Sequence, residues 1–133
     1  MSTIQLPQLK FTDQLPQLKF TDAPRPPVRV LFVPVGRAPA PRMVEDNLEA
    51  MQALVGGYLD AVILSGRIIL FCNEDGIEQG LPVNRTVPAR SEHVEIRGDF
   101  FVTRFDADGN SVSLTDVEIV DSIRMVTACR SPR

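Results

Sequence analysis

Histidine is almost absent from this chain of 133 residues, because His93 is the only one. A histidine-based metal site or a Ser-His-Asp relay would have to be built around that single side chain, and no cysteine stands beside it. No GxGxxG or Walker-type loop occurs either. We interpret His93 as a surface residue, and the sequence predicts no enzyme activity, no cofactor and no metal site.

Long hydrophobic runs are absent as well. No apolar stretch approaches the roughly 20 residues that a membrane-spanning helix needs, and no basic-plus-apolar signal segment stands near the first residue. The two cysteines, Cys72 and Cys129, lack CxxC spacing and are interpreted as free thiols of an intracellular protein. These features predict a cytoplasmic protein that does not contact membranes.

Acidic residues are missing from one part of the chain, and the net charge of -3 hides this asymmetry. Residues 23–42 carry four arginines and no acidic residue, whereas fifteen acidic residues and eight arginines follow from Met43 onward. Proteins that bind nucleic acid nonspecifically usually carry a basic face on the folded domain. Because the predicted domain is acidic, nucleic acid is not expected as a partner.

The most conspicuous feature present is a tandem copy, since QLPQLKFTD at 5–13 is repeated without change at 14–22. A period of nine residues is too short to form a solenoid unit. Within each copy, apolar residues alternate with polar ones as in a strand, although Pro7 and Pro16 restrict such a strand to a sheet edge. The apolar residues expected to dock are Leu9, Phe11, Leu18 and Phe20.

Residues 1–27 therefore form an extended arm that holds both copies and a proline-rich linker. Nine such residues cannot offset their own ordering entropy in water, so an ordered arm would need a groove or an open sheet edge. We expect the arm to dock on a neighbouring subunit or a partner, where two copies would raise avidity. The alternative is an inert duplication.

The domain begins with VRVLFVPV from Val28, a nearly continuous apolar run that predicts a central strand. The prolines of GRAPAP at 36–41 predict a loop. A helix should follow, because apolar residues recur at helical spacing until Gly56 and Gly57, which would end it. The apolar face of this helix would consist of Val44, Leu48, Met51, Leu54 and Val55.

Two strand pairs are expected after this helix. LDAVIL and RIILFC flank Ser65 and Gly66, which favours a tight hairpin. A long polar stretch covers residues 72–92, and HVEIRGDFFVTRF and SVSL should then pair around a turn at 106–110. We interpret the Arg-Gly-Asp tripeptide at 97–99 as part of that strand, with a glycine bulge.

The last predicted element is a helix that begins at Thr115, where Glu118 three residues later completes a capping box. Together these elements predict an α+β domain at 28–126, with a flexible tail at 127–133. Its mixed sheet of about five strands would carry both helices on one face. The first strand–helix–strand unit is expected to place its two strands in parallel.

Six segments of this domain resemble, in their order and spacing, a family of small uncharacterised proteins found in bacteriophages, plasmids and their bacterial hosts. The segments are RVLFVPVGRAP, NLEAMQALVGGY, CNEDG, GLPVNR, IRGDFFV and SLTDVEI. The resemblance covers about Val28 to Val126 and leaves out the duplicated arm. It implies a shared fold and a mobile-element context, and it implies no reaction, because the family is a domain of unknown function.

The candidate binding residues lie in or near a polar loop at 73–85. Side chains of Asn, Glu and Arg beside a hairpin can present several donors to a carboxylate, a phosphate or a base. Alternatively, Asn84 and Arg85 bond the loop's own carbonyls and Glu74, and so serve the structure. The candidate residues are Arg37, Tyr58, Asn73, Glu74, Asn84 and Arg85.

The expected function is that of a noncatalytic interaction protein of a phage or mobile element. It would bind a host partner, or another copy of itself, through the arm and the polar loop. The alternative is a small-ligand domain that captures a nucleotide-like anion through Arg37, Arg85 and the same loop. A hydrolase that uses Glu74 or Asp99 has the least support, because no base, nucleophile or metal set converges on them.

Overall fold

A computed structural model describes residues 25–89 and 92–128, and it confirms the predicted α+β class. The arm residues predicted to dock, from Leu9 to Phe20, lie outside the described residues. The helices are α1 (Leu48–Val55) and α2 (Asp116–Ala128). The strands are β1 (Val28–Val33), β2 (Ala40–Val44), β3 (Leu59–Ser65), β4 (Ile68–Asn73), β5 (Val83–Ala89), β6 (Glu92–Arg97), β7 (Phe100–Phe105) and β8 (Ser111–Val112).

The main sheet has the strand order β2-β1-β7-β4-β3, and the short β8 also pairs with β7. The strands β5 and β6 form a separate two-stranded sheet. Every strand pair in the described residues is antiparallel, so the expected parallel crossover between the first strand and β3 is wrong. The reason is that β7, which comes late in the chain, is inserted between β1 and β4.

The main sheet is covered on both faces. Along β1, Val30 contributes to one core cluster and the next residue, Leu31, to the other. Helix α1 packs on the first face through Met51 and Val55, whereas α2 and the β5–β6 hairpin cover the second face. The expected placement of both helices on one face is therefore wrong. Since the central strands are apolar on both sides, each side needs its own cover.

Local sequence signals mark the start of both helices and the end of α1. The side chain of Asn47 caps α1 by accepting a hydrogen bond from the Ala50 amide at 2.8 Å, and Gly56 ends the helix in the left-handed conformation. Val44, which was expected on the helix, lies in β2 instead. At α2, the amide of Glu118 donates to Thr115 Oγ1 and the amide of Thr115 donates to Glu118 Oε1, so the capping box is present.

Two strands lie where the sequence predicted loops. The edge strand β2 begins within the proline-rich 36–41 segment, where Pro41 lacks an amide donor. The strand β5 begins at Val83, inside the stretch predicted as a polar loop. Asn84 and Arg85 are consequently strand residues, and the loop after β4 covers only 74–82.

The segment predicted as one strand around Arg97-Gly98-Asp99 is split in two. Gly98 has a φ of 77°, and it turns the chain from β6 in the small sheet to β7 in the main sheet. The Asp99 carboxylate accepts a hydrogen bond from the Val35 amide at 2.9 Å. The tripeptide therefore forms a bonded connection between the two sheets.

The predicted hairpin between β3 and β4 is present, with Ser65 paired to Ile68. The turn at 106–110 is present too, because the Asp106 carboxylate accepts bonds from the amides of Asp108 and Asn110, both at 2.9 Å. Neither of the two helices in the described part of the chain is long and apolar enough to cross a membrane.

Candidate functional site

Asn84 and Arg85 hold together three segments at one end of the main sheet. The side-chain nitrogen Nδ2 of Asn84 donates to the carbonyl oxygens of Val33 and Gly98, both at 2.9 Å. The Arg85 guanidinium donates to the Asn84 carbonyl at 3.0 Å and to the Arg37 carbonyl at 3.2 Å. Both side chains are buried, and these bonds attach β5 to the end of β1 and to the β6–β7 turn.

Asn73 has a comparable role at the end of β4. Its side-chain oxygen accepts from the Asp75 amide at 2.7 Å, and its nitrogen donates to the Val55 carbonyl at 3.1 Å and to Gln79 Oε1 at 3.2 Å. The backbone of Gly57 approaches this amide so closely that a Cβ there would lie 2.8 Å from Asn73 Nδ2. Asn73 thus connects the end of α1 to the loop after β4.

The other predicted binding residues are more accessible. Arg37 is exposed, and Tyr58 keeps 60% of its surface accessible. Glu74 is half-buried, and its amide donates to the Tyr58 carbonyl at 2.9 Å. The structure therefore brings Tyr58, Asn73 and Glu74 together, and joins Arg37 to the Asn84–Arg85 pair through its carbonyl oxygen.

A cleft of about 300 Å³ opens beside Glu74, between the ends of β3 and β4, the loop after β4, and β6. We call it the β6 cleft. Of the predicted binding residues, Asn73 and Glu74 line it. The described residues that line it are Asp60, Val62, Cys72, Asn73, Glu74, Gly76, Ile77, Val94, Glu95, Ile96 and Arg97.

Among the described residues that line the β6 cleft, three carry a carboxylate, and one, Arg97, carries a guanidinium. Arg97 is bonded to Glu95 Oε1 at 3.3 Å and to the Leu81 carbonyl at 3.1 Å. A concave surface with an excess of one charge and low-dielectric walls concentrates the electrostatic field. The β6 cleft is therefore suited to a cationic group attached to an apolar one.

Sequence reasoning missed the β6 half of this cleft, including Glu95 and Arg97. The available signal was Gly98, which marks the end of β6, but the apolar run across it favoured one continuous strand. The contribution of Asp60 was missed because it lies within an apolar strand, where it is 6% exposed.

Two carboxyl groups outside the β6 cleft have shifted pKa values. Burial raises the pKa of Asp46, against the opposing effect of Arg25, whose Nη1 lies 3.4 Å from its carboxylate. Hydrogen bonds, chiefly from the Asn110 backbone, lower the pKa of Asp106. The Arg25–Asp46 pair also fixes the point at which the chain enters the domain, just before α1.

The sequence pattern of a family described as "Domain of unknown function (DUF3846)" matches residues 28–127. The chain belongs to this family. The match begins with the first residue of β1 and ends one residue before the end of α2, so the DUF3846 domain contains both core clusters and the β6 cleft. The tandem copies at 5–22 lie outside it. No curated protein and no solved structure matches the chain significantly.

Proposed function

We propose that this DUF3846 protein is a noncatalytic interaction protein that binds a protein partner in the β6 cleft. The family resemblance suggests a phage or another mobile element as its origin, and the bacterial cytoplasm as its place of action. The observation that carries the proposal is the β6 cleft itself, whose described lining combines apolar walls with three carboxylates. A partner segment with a basic residue beside an apolar one would complement it.

Exposed apolar side chains beside the β6 cleft support this proposal. Ile77, which lines the cleft, keeps 76% of its surface accessible, and Tyr58 next to the loop keeps 60%. Large apolar and aromatic side chains of this kind are typical anchors of protein interfaces. A partner that covers them would gain apolar burial together with charge complementarity.

The bonding of Arg85 favours this function over the capture of a nucleotide-like anion. Its guanidinium is buried and donates to two backbone carbonyl oxygens and to Asn84 Oδ1. Binding an anion there would compete with bonds that hold β5 in place. The three carboxylates that line the β6 cleft, moreover, would repel a phosphate.

The test compares three full-length proteins as baits in a bacterial lysate: wild type, Ile77→Asp in the β6 cleft, and Val117→Asp as a control. Val117 is 69% exposed on α2, outside the cleft lining, so the control adds the same charge at another apolar surface position. We expect Ile77→Asp to lose a partner that the other two retain, with dissociation constants measured afterwards on purified components. All three proteins should melt at the same temperature.

A partner retained by Ile77→Asp at wild-type affinity would contradict the β6 cleft as the binding site. The anion alternative has its own readout, namely a thermal-shift panel of nucleotides and inorganic phosphate, because a specific ligand raises the melting temperature by mass action. A shift that is abolished in a stable Arg85 variant would favour that alternative.

A further inference from the structure

We propose that the first copy of the repeat binds the β6 cleft of its own chain through Leu9, Lys10 and Phe11. This inference rests on the proposed function, since it uses the same surface and names an occupant for it. The arm would then be a built-in ligand with which an outside partner must compete.

The chemistry of the two surfaces is complementary. Lys10 and Lys19, one in each copy, are the only lysines of the chain. In both copies the lysine is flanked by leucine and phenylalanine. The β6 cleft offers the apolar surfaces of Val62, Ile77 and Ile96 beside its carboxylates. A lysine between two apolar residues is the pattern that this lining would recognise.

The length of chain selects the first copy over the second. Arg25, the first described residue, pairs with Asp46 beside α1, whereas the β6 cleft lies on the opposite face of the sheet. Three strand spacings separate β1 from β3, and four residues along β1 separate Val28 from the level of the cleft. The straight path within the sheet is thus about 20 Å, before any detour around the sheet edge.

Phe20 precedes Arg25 by five residues, which span at most about 18 Å, less than this path, so the second copy is poorly placed for the β6 cleft of its own chain. Phe11 precedes Arg25 by fourteen residues, which span up to about 50 Å. An intramolecular segment within reach has an effective concentration of order mM, so even a weak contact would be populated.

The test is a zero-length carbodiimide cross-link, which joins a lysine amine to a carboxylate only where the two touch. In the full chain, Lys19→Arg leaves Lys10 as the only lysine, and Lys10→Arg leaves Lys19. Both variants keep their positive charge and differ only in which copy reacts. We expect Lys19→Arg to give a Lys10 link to Glu74 or Glu95, located by peptide mass spectrometry, and Lys10→Arg to give none.

Two further variants in the Lys19→Arg background test the apolar contact. Phe11→Asp should abolish the link, while Phe20→Asp, the same change in the other copy, should leave its yield unchanged. Mixing ¹⁵N-labelled and unlabelled protein should give only links within one chain. Links between labelled and unlabelled chains, or equal yields from Lys10 and Lys19, would overturn the proposal. If no Lys10 cross-link forms but Ile77→Asp still loses its partner, this inference is wrong and the proposed function stands.

Discussion

At the scale of single residues, Arg85 is held by carbonyl oxygens from two separate segments of the chain. Replacing it with alanine would remove the donor that Arg85 supplies to these carbonyl oxygens, of which that of Asn84 is buried, so we expect Arg85→Ala to lower the free energy of unfolding by about 1–3 kcal/mol. Urea unfolding measures this loss. Arg37→Ala is the control, because Arg37 contributes only its backbone carbonyl to the contact and its side chain is exposed. A normal melt for Arg85→Ala would refute the structural role.

The Asn73 amide allows a test of close packing at the residue scale. Gly57→Ala would place a Cβ 2.8 Å from Asn73 Nδ2, so the amide must move and its bond to the Val55 carbonyl must weaken. We expect Gly57→Ala to destabilise the protein, and to do so less in a protein that already carries Asn73→Ala. A double-mutant cycle of unfolding free energies measures this coupling. If the losses of unfolding free energy were additive, the effect of Gly57→Ala would not depend on the Asn73 side chain.

The pH dependence of Asp46 is the third residue-scale prediction. Its pKa is raised in the folded state, so its contribution to stability is fully present below the ordinary value of 3.8 and is lost as the pH rises through the native pKa. Asp46→Asn removes the charge but keeps an acceptor for Arg25. We expect this variant to be more stable than wild type at neutral pH and to have no such advantage below pH 3.8. Lower stability at neutral pH would mean that the ion pair outweighs burial.

At the scale of elements, α2 should depend on its cap and on its buried face. Thr115→Ala removes half of the capping box and should cost on the order of 1 kcal/mol. Ile119 is 5% exposed in the second core cluster, and Ile119→Ala should cost about 2–5 kcal/mol. Val120→Ala is the control, because the neighbouring Val120 is 47% exposed. If thermal unfolding were the same for all three, α2 would not be packed on the sheet.

The helices were predictable because their signals are local. Asn47, Gly56 and Thr115 each mark a boundary through a bond to a residue a few positions away. The strands β2 and β5 were missed because they are held in the strand conformation by pairing and packing with other parts of the chain. In addition, the prolines around β2 favour the prediction of a loop. The split at Gly98 was missed for a related reason, since an apolar run does not reveal which of two sheets each half joins.

At the scale of the whole molecule, the sequence predicted the α+β class but not the packing of elements on both faces of the sheet. Both faces of β1 are apolar, so its sequence does not show the alternation of polar and apolar residues that marks a strand with one exposed face. The sequence therefore did not show that α1 and α2 lie on opposite faces of the main sheet. The β6 cleft depends on that arrangement, as it forms where the β5–β6 hairpin covers the end of β3 and β4. Only Asn73 and Glu74 of its lining were predicted as site residues.

The last prediction uses the identity of the two copies. Replacing residues 14–22 with a nine-residue Gly/Ser spacer keeps the first copy in place, and replacing residues 5–13 keeps only the second. The two proteins have the same composition, mass and charge, and differ only in the distance from the copy to the domain. The protein with the distant copy should bind the partner as wild type does, because its β6 cleft remains occupied.

The protein with only the near copy should bind the same partner more tightly, because an occupied cleft reduces apparent affinity by the fraction that is free. For a cleft occupied half of the time, the ratio of dissociation constants is about two, and it rises with occupancy. Calorimetric titration of each purified protein with the partner measures that ratio. Equal affinities would show that distance from the domain does not matter, and that the arm does not compete for the β6 cleft.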